Sequence, residues 1–279
     1  MKKTNNIIYL FTVVGLLFGA CDKIDEPYLE PVGGSGENKI SVTVEFMDDL
    51  TGNFDLNVFI IEDGVVSPQK NDLASIGPTP DWLDYEHKHL LRASLTSNWG
   101  FDLADDPTNG SIASLDLSFN IEDDWVLENL SVLAFITDGS TYEILQAAEQ
   151  GMTESAYKEH TRVVLLEEFT GHLCVNCPEA TKLSNDLKET YGNKLLLLAI
   201  HAGDLAEPST APYDNDLRTT AGTSIYNYFA PIGVPTGMVN RTEFGGSVVL
   251  FKDSWEPAIK ALIEQPQIAD IFMHIELAE

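Results

Sequence analysis

The stretch EEFTGHLCVNCPEATKLSNDL, from Glu167 to Leu187, holds two of the three cysteines of this 279-residue chain. It overlaps the end of an apolar run at residues 162–169. It also contains most of residues 174–191, where apolar side chains recur at helical spacing. The first pattern predicts a buried strand and the second an amphipathic helix. The sequence therefore places Cys174 and Cys177 where a strand leads into a helix.

A Cys-x-x-Cys pair at the start of a helix is suited to thiol–disulfide exchange. Unpaired backbone N–H groups and the helix dipole stabilise a thiolate there, and they lower a thiol pKa from about 8.5 to between about 3.5 and 7.5. The first sulfur must be exposed, whereas the second lies a turn further in and resolves the mixed disulfide. Pro178 suits a first helical turn, while the charge of Glu179 opposes a thiolate at Cys174.

Two other uses of the cysteine pair are weighed against exchange. A structural zinc ion needs three or four protein ligands, and one Cys-x-x-Cys pair supplies only two. His172 and His201 could supply the others. Because no second cysteine pair is present, we predict no metal site, and we also predict no cofactor. A disulfide that only staples the start of the helix stays open as an alternative.

The first residues of the chain predict export. Lys2 and Lys3 precede an apolar run at residues 7–18, which is too short to span a bilayer of about 30 Å as a helix. Gly19 and Ala20 then lead to Cys21, the pattern of a bacterial lipoprotein signal that is cleaved before a lipidated cysteine, although such signals usually carry Leu at the position of Phe18. We predict a signal peptide over residues 1–20 and a lipidated tether over 21–39; an ordinary signal peptide is the alternative.

Charge and cysteine count restrict the partners. The chain has 44 acidic and 16 basic residues and a net charge of −28, which repels nucleic acid and anionic lipid. We therefore expect no nucleic-acid partner. If Cys21 carries lipid, then Cys174 and Cys177 are the only thiols left, in a compartment where disulfides persist.

The remaining chain predicts two domains and a terminal strand. Residues 40–150 contain short alternating segments separated by turn residues, which indicates an all-β, sandwich-like domain. Helical spacing is expected at 144–156. Residues 160–266 alternate strands and helices, as in a small α/β domain. Residues 267–279 predict one more strand, which could begin a further domain.

Two further clusters are candidates for metal binding. His87 and His89 occupy alternate positions of a predicted strand at 85–91, so both would point to one face. Asp102, Asp105 and Asp106 could hold calcium in an acidic loop. We expect hydrogen-bonded histidines and ordinary turn chemistry instead.

The second half of the chain resembles the thioredoxin superfamily in three features. They are the CVNC motif between strand and helix, Glu168 six residues before Cys174, and Gly233-Val-Pro-Thr236, which looks like the family's cis-proline segment. The resemblance implies an α/β thioredoxin-like domain in which Glu168 moves protons for the resolving cysteine. It also implies a cis peptide bond before Pro235, beside the disulfide, where an extended substrate binds. Leu173 departs from the family's usual Trp.

A narrower resemblance covers both halves. The stretches EEFTGHLCVNCPEA and PTGMVNR, together with residues 58–69 and 85–92, are similar to the twenty-eight-kilodalton outer-membrane lipoproteins of the Bacteroidetes. The resemblance implies a lipid-anchored outer-membrane protein, facing the periplasm or the cell surface, with some association with adhesion. In those relatives the β-domain follows the thioredoxin-like part, whereas here it comes first.

Two functions fit these patterns. In the first, the protein is a thiol–disulfide oxidoreductase: Cys174 attacks, Cys177 resolves, Glu168 shuttles a proton and Pro235 helps to seat the substrate. Its partners would be the membrane, through the lipid on Cys21, and exported proteins with disulfides or a membrane electron donor. In the second, the protein is a non-catalytic surface binding or adhesion lipoprotein whose cysteine pair is a structural disulfide.

Overall fold

The structure, a computed structural model, describes residues 37–154 and 161–278. The predicted signal peptide, Cys21 and most of the tether lie outside the described residues. Strands dominate the described part, so the expected β-rich character is confirmed. The first half contains β1 Asn38–Phe46, β2 Asn53–Glu62, β3 Val65–Val66, β4 Gln69–Lys70, β5 Asp81–Trp82, β6 Glu86–His87, β7 Leu90–Ser94, β8 Phe101–Asp105, β9 Ile112–Phe119, β10 Leu130–Asp138 and β11 Ile144–Gly151. The second half contains β12 Val164–Thr170, α1 Cys177–Tyr191, β13 Leu195–His201, α2 Thr220–Phe229, β14 Thr236–Val239, α3 Trp255–Ile263 and β15 Ala269–Glu276.

Two sheets pack face to face, and most of their contacting strands come from the first half of the chain. One sheet has the order β15-β1-β9, with both pairs antiparallel. Its inner face meets alternate residues of β2 and β10 in one apolar core. The opposite faces of β2 and β10 are buried too, in a second core with the α/β half. Burial on both faces explains why the β2 sequence is almost continuously apolar instead of alternating.

The larger sheet runs through both halves of the chain. Its order is β11-β10-β2-β7-β13-β12-β14, with β8 paired to β2. The halves join where β7 lies parallel to β13, with Leu90 opposite Ala199. The backbone N–H of Ala199 also donates to the carbonyl of His89 at 2.8 Å. The two predicted domains therefore share one sheet, and their predicted boundaries stay a prediction. The terminal strand β15 pairs with β1 along its whole length.

The second half is built around a parallel strand–helix–strand unit. β12 and β13 are parallel, with α1 connecting them, and β14 lies antiparallel to β12 on its other edge. Helices α1 and α3 cover one face of these strands, and α2 covers the other face. Double coverage buries every residue of β12. The sheet thereby fixes the carboxyl end of β12, from which the cysteine loop leaves.

Several local predictions are wrong. The segment expected to be helical at 144–156 forms strand β11 as far as Gly151, because pairing with β10 overrides the helix-forming residues of its sequence; residues 155 and 156 lie outside the described ranges. The predicted strand 85–91 is split into β6 and β7 at His89, whose φ is 51°. The stretch Asp253-Ser-Trp-Glu256 has the pattern of a capping box, but α3 begins only at Trp255 and the preceding residue makes no side-chain capping bond. No helix among the described residues is both long and apolar enough to cross a membrane.

Candidate functional site

The cysteine pair lies in the turn between β12 and α1. Cys174 and Cys177 form a disulfide, with Cα atoms 5.4 Å apart. Helix α1 begins at Cys177, so Cys174 precedes the helix. Its backbone N–H bonds to the carbonyl of Gly171 at 2.9 Å. The predicted sequence of strand, loop, cysteine pair and helix is therefore present.

Both sulfur-bearing residues are buried, which differs from the exposed first cysteine that exchange requires. Cys174 is 2% exposed and Cys177 is 1% exposed. The cover comes from a distant part of the chain, residues 67–82, which we call the covering hairpin because it contains the paired strands β4 and β5. Sequence spacing gave no sign of this contact, since about a hundred residues separate the hairpin from the cysteines.

The covering hairpin is hydrogen-bonded directly to the cysteine loop. The side-chain amide of Gln69 donates to the carbonyl of Cys174 at 2.9 Å and to that of Gly171 at 3.3 Å. The backbone N–H of Lys70 donates to the carbonyl of His172 at 2.8 Å. These bonds satisfy polar groups of the loop that would otherwise face solvent. The hairpin is thus part of the site's wall.

Residues of the 201–222 loop hold the covering hairpin from the other side. The hydroxyl of Tyr213 donates to Asp81 at 2.6 Å, and Asp81 also pairs with Lys70. The ring of Tyr213 stacks on His172, with centroids 5.8 Å apart. The long connection between β13 and α2 therefore closes the site.

Glu168 is the titratable group with the clearest chemical capacity. Its carboxylate accepts hydrogen bonds from the hydroxyl of Thr181 at 2.9 Å and that of Ser184 at 3.1 Å. Thr181 lies one helical turn after Cys177 and borders the same small cavity as that cysteine, so it connects the carboxylate with the surroundings of the second cysteine. Burial raises the pKa of the Glu168 carboxyl to about 7, against the effect of the two hydrogen bonds. Such a group can hold or release a proton near neutral pH.

Pro235 lies at the same end of the sheet as the cysteine loop. Its peptide bond is cis, and β14 starts directly after it. Thr236 pairs with Phe169 across the antiparallel strands, which puts Pro235 level with the end of β12. Glu179, expected to oppose a thiolate at Cys174, forms an ion pair with Lys252.

Three histidines gather behind the disulfide. The rings of His87 and His201 have centroids 5.0 Å apart, and both border a small cavity with Cys177, Gln69, Tyr85 and Thr181. Burial lowers the pKa of His87 to about 4. Burial, with His87 and His172 nearby, lowers the pKa of His201 well below its usual value. Burial also lowers the pKa of His172. All three imidazoles are therefore uncharged at pH 7.

The other predicted clusters do not converge. His89 lies beside Asp63, away from the cavity that His87 borders, so the prediction that both point to one face is wrong; the break at His89 is the reason. Asp102 and Asp105 lie on strand β8 and accept hydrogen bonds from Asn53 on the neighbouring strand β2, so the local turn chemistry expected for them is not what holds them. Among residues 37–154 and 161–278 no three His, Cys, Asp or Glu side chains are placed to hold a metal ion.

The fold and site describe a β-rich protein with a covered disulfide at the start of a helix. Residues 31–156 match the model of a family described as outer membrane protein Omp28. The predicted resemblance to these outer-membrane lipoproteins is confirmed over this stretch of the chain. The same match confirms the predicted outer-membrane location. The match covers the β-rich half, whereas the cysteine pair lies beyond it.

Two solved structures are similar to parts of the chain. HBP35 of Porphyromonas gingivalis is 16% identical, with a TM-score of 0.26, over 48% of this chain and 54% of that chain. A domain of the outer membrane lipoprotein Omp28 from Porphyromonas gingivalis is 14% identical, with a TM-score of 0.21, over 44% of this chain and 90% of that chain. The chain thus spans about half the length of HBP35. Scores this low establish no common fold. No curated protein matches the chain.

Proposed function

We propose that this protein is a lipid-anchored outer-membrane protein whose second half is a thioredoxin-like domain, and that Cys174 and Cys177 exchange with dithiols of exported proteins. The parallel unit β12-α1-β13, the antiparallel β14 and the cysteine pair between β12 and α1 support the thioredoxin-like assignment. The cis peptide bond before Pro235, directly before β14 and level with the end of β12, also supports this assignment.

The observation that carries the proposal is the burial of the Glu168 carboxyl group without a cation beside it. Burying a carboxyl group away from any cation is costly, and among the described residues no lysine or arginine pairs with it. A disulfide that only stapled the helix would need no proton donor behind it. A carboxyl with a pKa of about 7, connected through Thr181 with the surroundings of Cys177, supplies the proton that a leaving thiolate takes up.

The exchange proceeds in two steps. One thiolate of a substrate dithiol attacks the sulfur of Cys174, the Cys174–Cys177 bond breaks, and the leaving thiolate of Cys177 takes a proton from Glu168. The second substrate thiol gives its proton to the Glu168 carboxylate, directly or through water, and attacks the substrate sulfur of the mixed disulfide. Cys174 then leaves as a thiolate and is protonated from solvent. Two electrons and two protons pass from the substrate to the cysteine pair.

Substrate access requires the covering hairpin to move. Its contacts with the cysteine loop are hydrogen bonds from the side chain of Gln69 and from the backbone N–H groups of Lys70 and Asp72, each worth about 0.5–1.5 kcal/mol. Displacing the hairpin would expose the carbonyls of the loop to an extended substrate, which could take over the bond that Lys70 makes to His172. The hairpin would then act as a substitute for substrate in the resting protein.

The test is a thiol–disulfide exchange assay on the full-length protein in detergent. With oxidised glutathione as the terminal oxidant, the parent should catalyse the oxidation of a model dithiol peptide, whereas Cys174→Ser should lose this activity. The matched variant Cys177→Ser should instead trap a mixed disulfide with the oxidised, disulfide form of the peptide. The Cys174 thiolate attacks that disulfide, and no resolving sulfur remains to break the product. Equal activity in the parent and the Cys174→Ser variant would contradict the proposal.

A second candidate, the structural disulfide, is favoured by burial. Residues exposed by 1–2% are poorly placed for attack, and a sheltered bond stays oxidised. In that case the protein is a binding or adhesion lipoprotein. A reduction potential of the Cys174–Cys177 bond below about −300 mV would support a purely structural disulfide, whereas a higher potential would support exchange.

A further inference from the structure

The cavity behind Cys177 is the clearest unexplained feature of the described residues. His201 is 3% exposed, and neither of its ring nitrogens has a hydrogen-bond partner in the described part of the chain. An imidazole with two unsatisfied nitrogens in the interior costs free energy unless something binds it. The cavity that His201 borders has about 10 Å³ of space for the centre of a water-sized sphere, enough for one water or one ion.

We propose that reduction of the disulfide creates a binding site for one transition-metal ion, held by the thiolate of Cys177 and the imidazoles of His87 and His201. The class of ion is borderline or soft, such as Zn(II) or Cu(I), because these ions prefer nitrogen and thiolate ligands. The site needs Cys177 to be reduced, and it does not depend on turnover of any exchange substrate.

The distance between the two rings fits a shared ion. With metal–nitrogen bonds of about 2.0–2.1 Å and tetrahedral angles, two imidazoles on one ion have centroids about 5 Å apart. The observed separation of His87 and His201 is 5.0 Å. The third ligand, Cys177, borders the same cavity.

The surroundings of His87 resemble those of a metal ligand. One of its nitrogens, Nε2, lies 3.2 Å from the carbonyl of Ser67, which leaves Nδ1 for an ion. Metal-bound histidines usually donate their other N–H to such a carbonyl, which fixes the ring. Lys88 also borders the cavity, but its side chain is 47% exposed and pairs with Glu86 at 4.0 Å, so solvent screens its charge.

The disulfide explains why no such group of ligands exists in the resting protein. While the sulfur of Cys177 is bonded to that of Cys174, it offers no thiolate, and only two imidazoles remain. A dithiol reductant adds two electrons and two protons to the pair and leaves two thiols. Binding of the ion then displaces one proton, from the thiol of Cys177. Metal affinity is thereby coupled to the redox state.

The experiment is an anaerobic titration of the full-length protein with Co(II) alone as a spectroscopic stand-in for Zn(II). Reduced protein, freed of reductant, should bind one Co(II) with a thiolate-to-cobalt charge-transfer band, about 100-fold more tightly than oxidised protein. Cys174→Ser should bind without any reductant, because it leaves Cys177 free, whereas Cys177→Ser should not bind. Both variants lack the disulfide, so they control for its loss.

His201→Gln and His87→Gln each remove a ligand and should weaken binding by more than the roughly 10- to 100-fold that loss of an outer-shell partner causes, while His274→Gln, on β15, should leave it unchanged. Thermal unfolding of each variant shows whether it is folded. X-ray absorption of bound Zn(II) should find one sulfur and two imidazoles. Equal binding by the two cysteine variants, sulfur-only coordination, or a reduced protein that takes up no Co(II), with only water in the cavity, would overturn the proposal.

Discussion

Glu167 and Glu168 are neighbours on β12, and both are buried, yet they face opposite sides of the strand and differ in their partners. Glu167 binds the guanidinium of Arg241 through two hydrogen bonds of 2.7 Å. Glu168 has only the hydroxyls of Thr181 and Ser184. A carboxylate matched to a buried cation stabilises the fold, whereas one surrounded by neutral donors keeps a proton near neutral pH. Burial alone therefore does not indicate what an acid does.

The largest effect should come from Glu167. Glu167→Gln leaves the charge of Arg241 buried and uncompensated, which should lower the free energy of unfolding by about 3–5 kcal/mol. Glu168→Gln keeps both hydroxyl contacts and should not destabilise the protein at pH 7. Denaturant titration of both variants measures this, and replacing Arg241 by Met in the Glu167→Gln background should restore part of the loss. If both variants lost the same free energy of unfolding, the two carboxyl groups would not differ in their contribution to stability.

The next effect is a pH dependence that belongs to Glu168. Its pKa in the folded protein is about 7 against an ordinary 4.5, so the folded state binds the proton more tightly than the unfolded state. Its stabilising contribution is full below pH 4.5 and is lost as the pH rises toward 7, by roughly 3 kcal/mol in all. The free energy of unfolding of Glu168→Gln minus that of the parent should therefore rise over this interval.

His87 acts in the opposite direction and has to be separated from Glu168. Its folded pKa of about 4 lies below the ordinary 6.5, so its stabilising contribution is lost as the pH falls from 6.5 toward 4. Because His87 is present in both proteins, it cancels in the difference between Glu168→Gln and the parent. A flat difference from pH 4.5 to 7 would mean that Glu168 titrates normally.

A smaller effect is expected at the covering hairpin, and it tests whether the hairpin limits access of a reductant to the disulfide. Gln69→Ala removes the side-chain bonds to the carbonyls of Cys174 and Gly171, which should cost about 1–2 kcal/mol. If that loss favours an opened hairpin, dithiothreitol should reduce the disulfide about 10-fold faster. Gln150→Ala, at an equally buried glutamine of β11, should leave the rate of reduction unchanged. Equal rates in the parent and both variants would show that the hairpin does not limit access.

The smallest effect concerns the hydroxyl groups around Glu168. Thr181→Val removes a hydrogen bond that favours the carboxylate, so it should raise the pKa of Glu168 further and change stability by about 1 kcal/mol. Infrared titration of the carboxyl band measures the pKa. Thr190→Val, on the exposed side of α1, provides the control. An unchanged titration would indicate that Thr181 does not interact with the ionised group.

The sequence was most informative where residues close together in the chain decide the structure. Period-two alternation predicted β1 and β9, and the spacing of CVNC predicted the entry into α1. Glu168 could be singled out because it lies six residues before Cys174. These features depend on local patterns, which a single sequence contains.

What the sequence could not predict depends on contacts between distant segments. The covering hairpin, the pairing of Glu167 with Arg241 and the proximity of His87 to His201 join residues about 75 to 115 positions apart, and no pattern in one sequence specifies such pairs. The helix expected at 144–156 failed for the same reason, because its partner strand β10 decides its conformation.

The most direct test measures how fast a dithiol reduces the Cys174–Cys177 bond in a single turnover, from pH 5 to 9, in the parent and in Glu168→Gln. The ratio of the two rate constants cancels the ionisation of the reductant. If Glu168 delivers the proton to Cys177, the parent should be at least about 10-fold faster below pH 7, and the advantage should disappear as the carboxyl ionises above that value. A ratio that stays at one across the whole range would contradict a role for Glu168 in exchange and leave the disulfide as a structural staple.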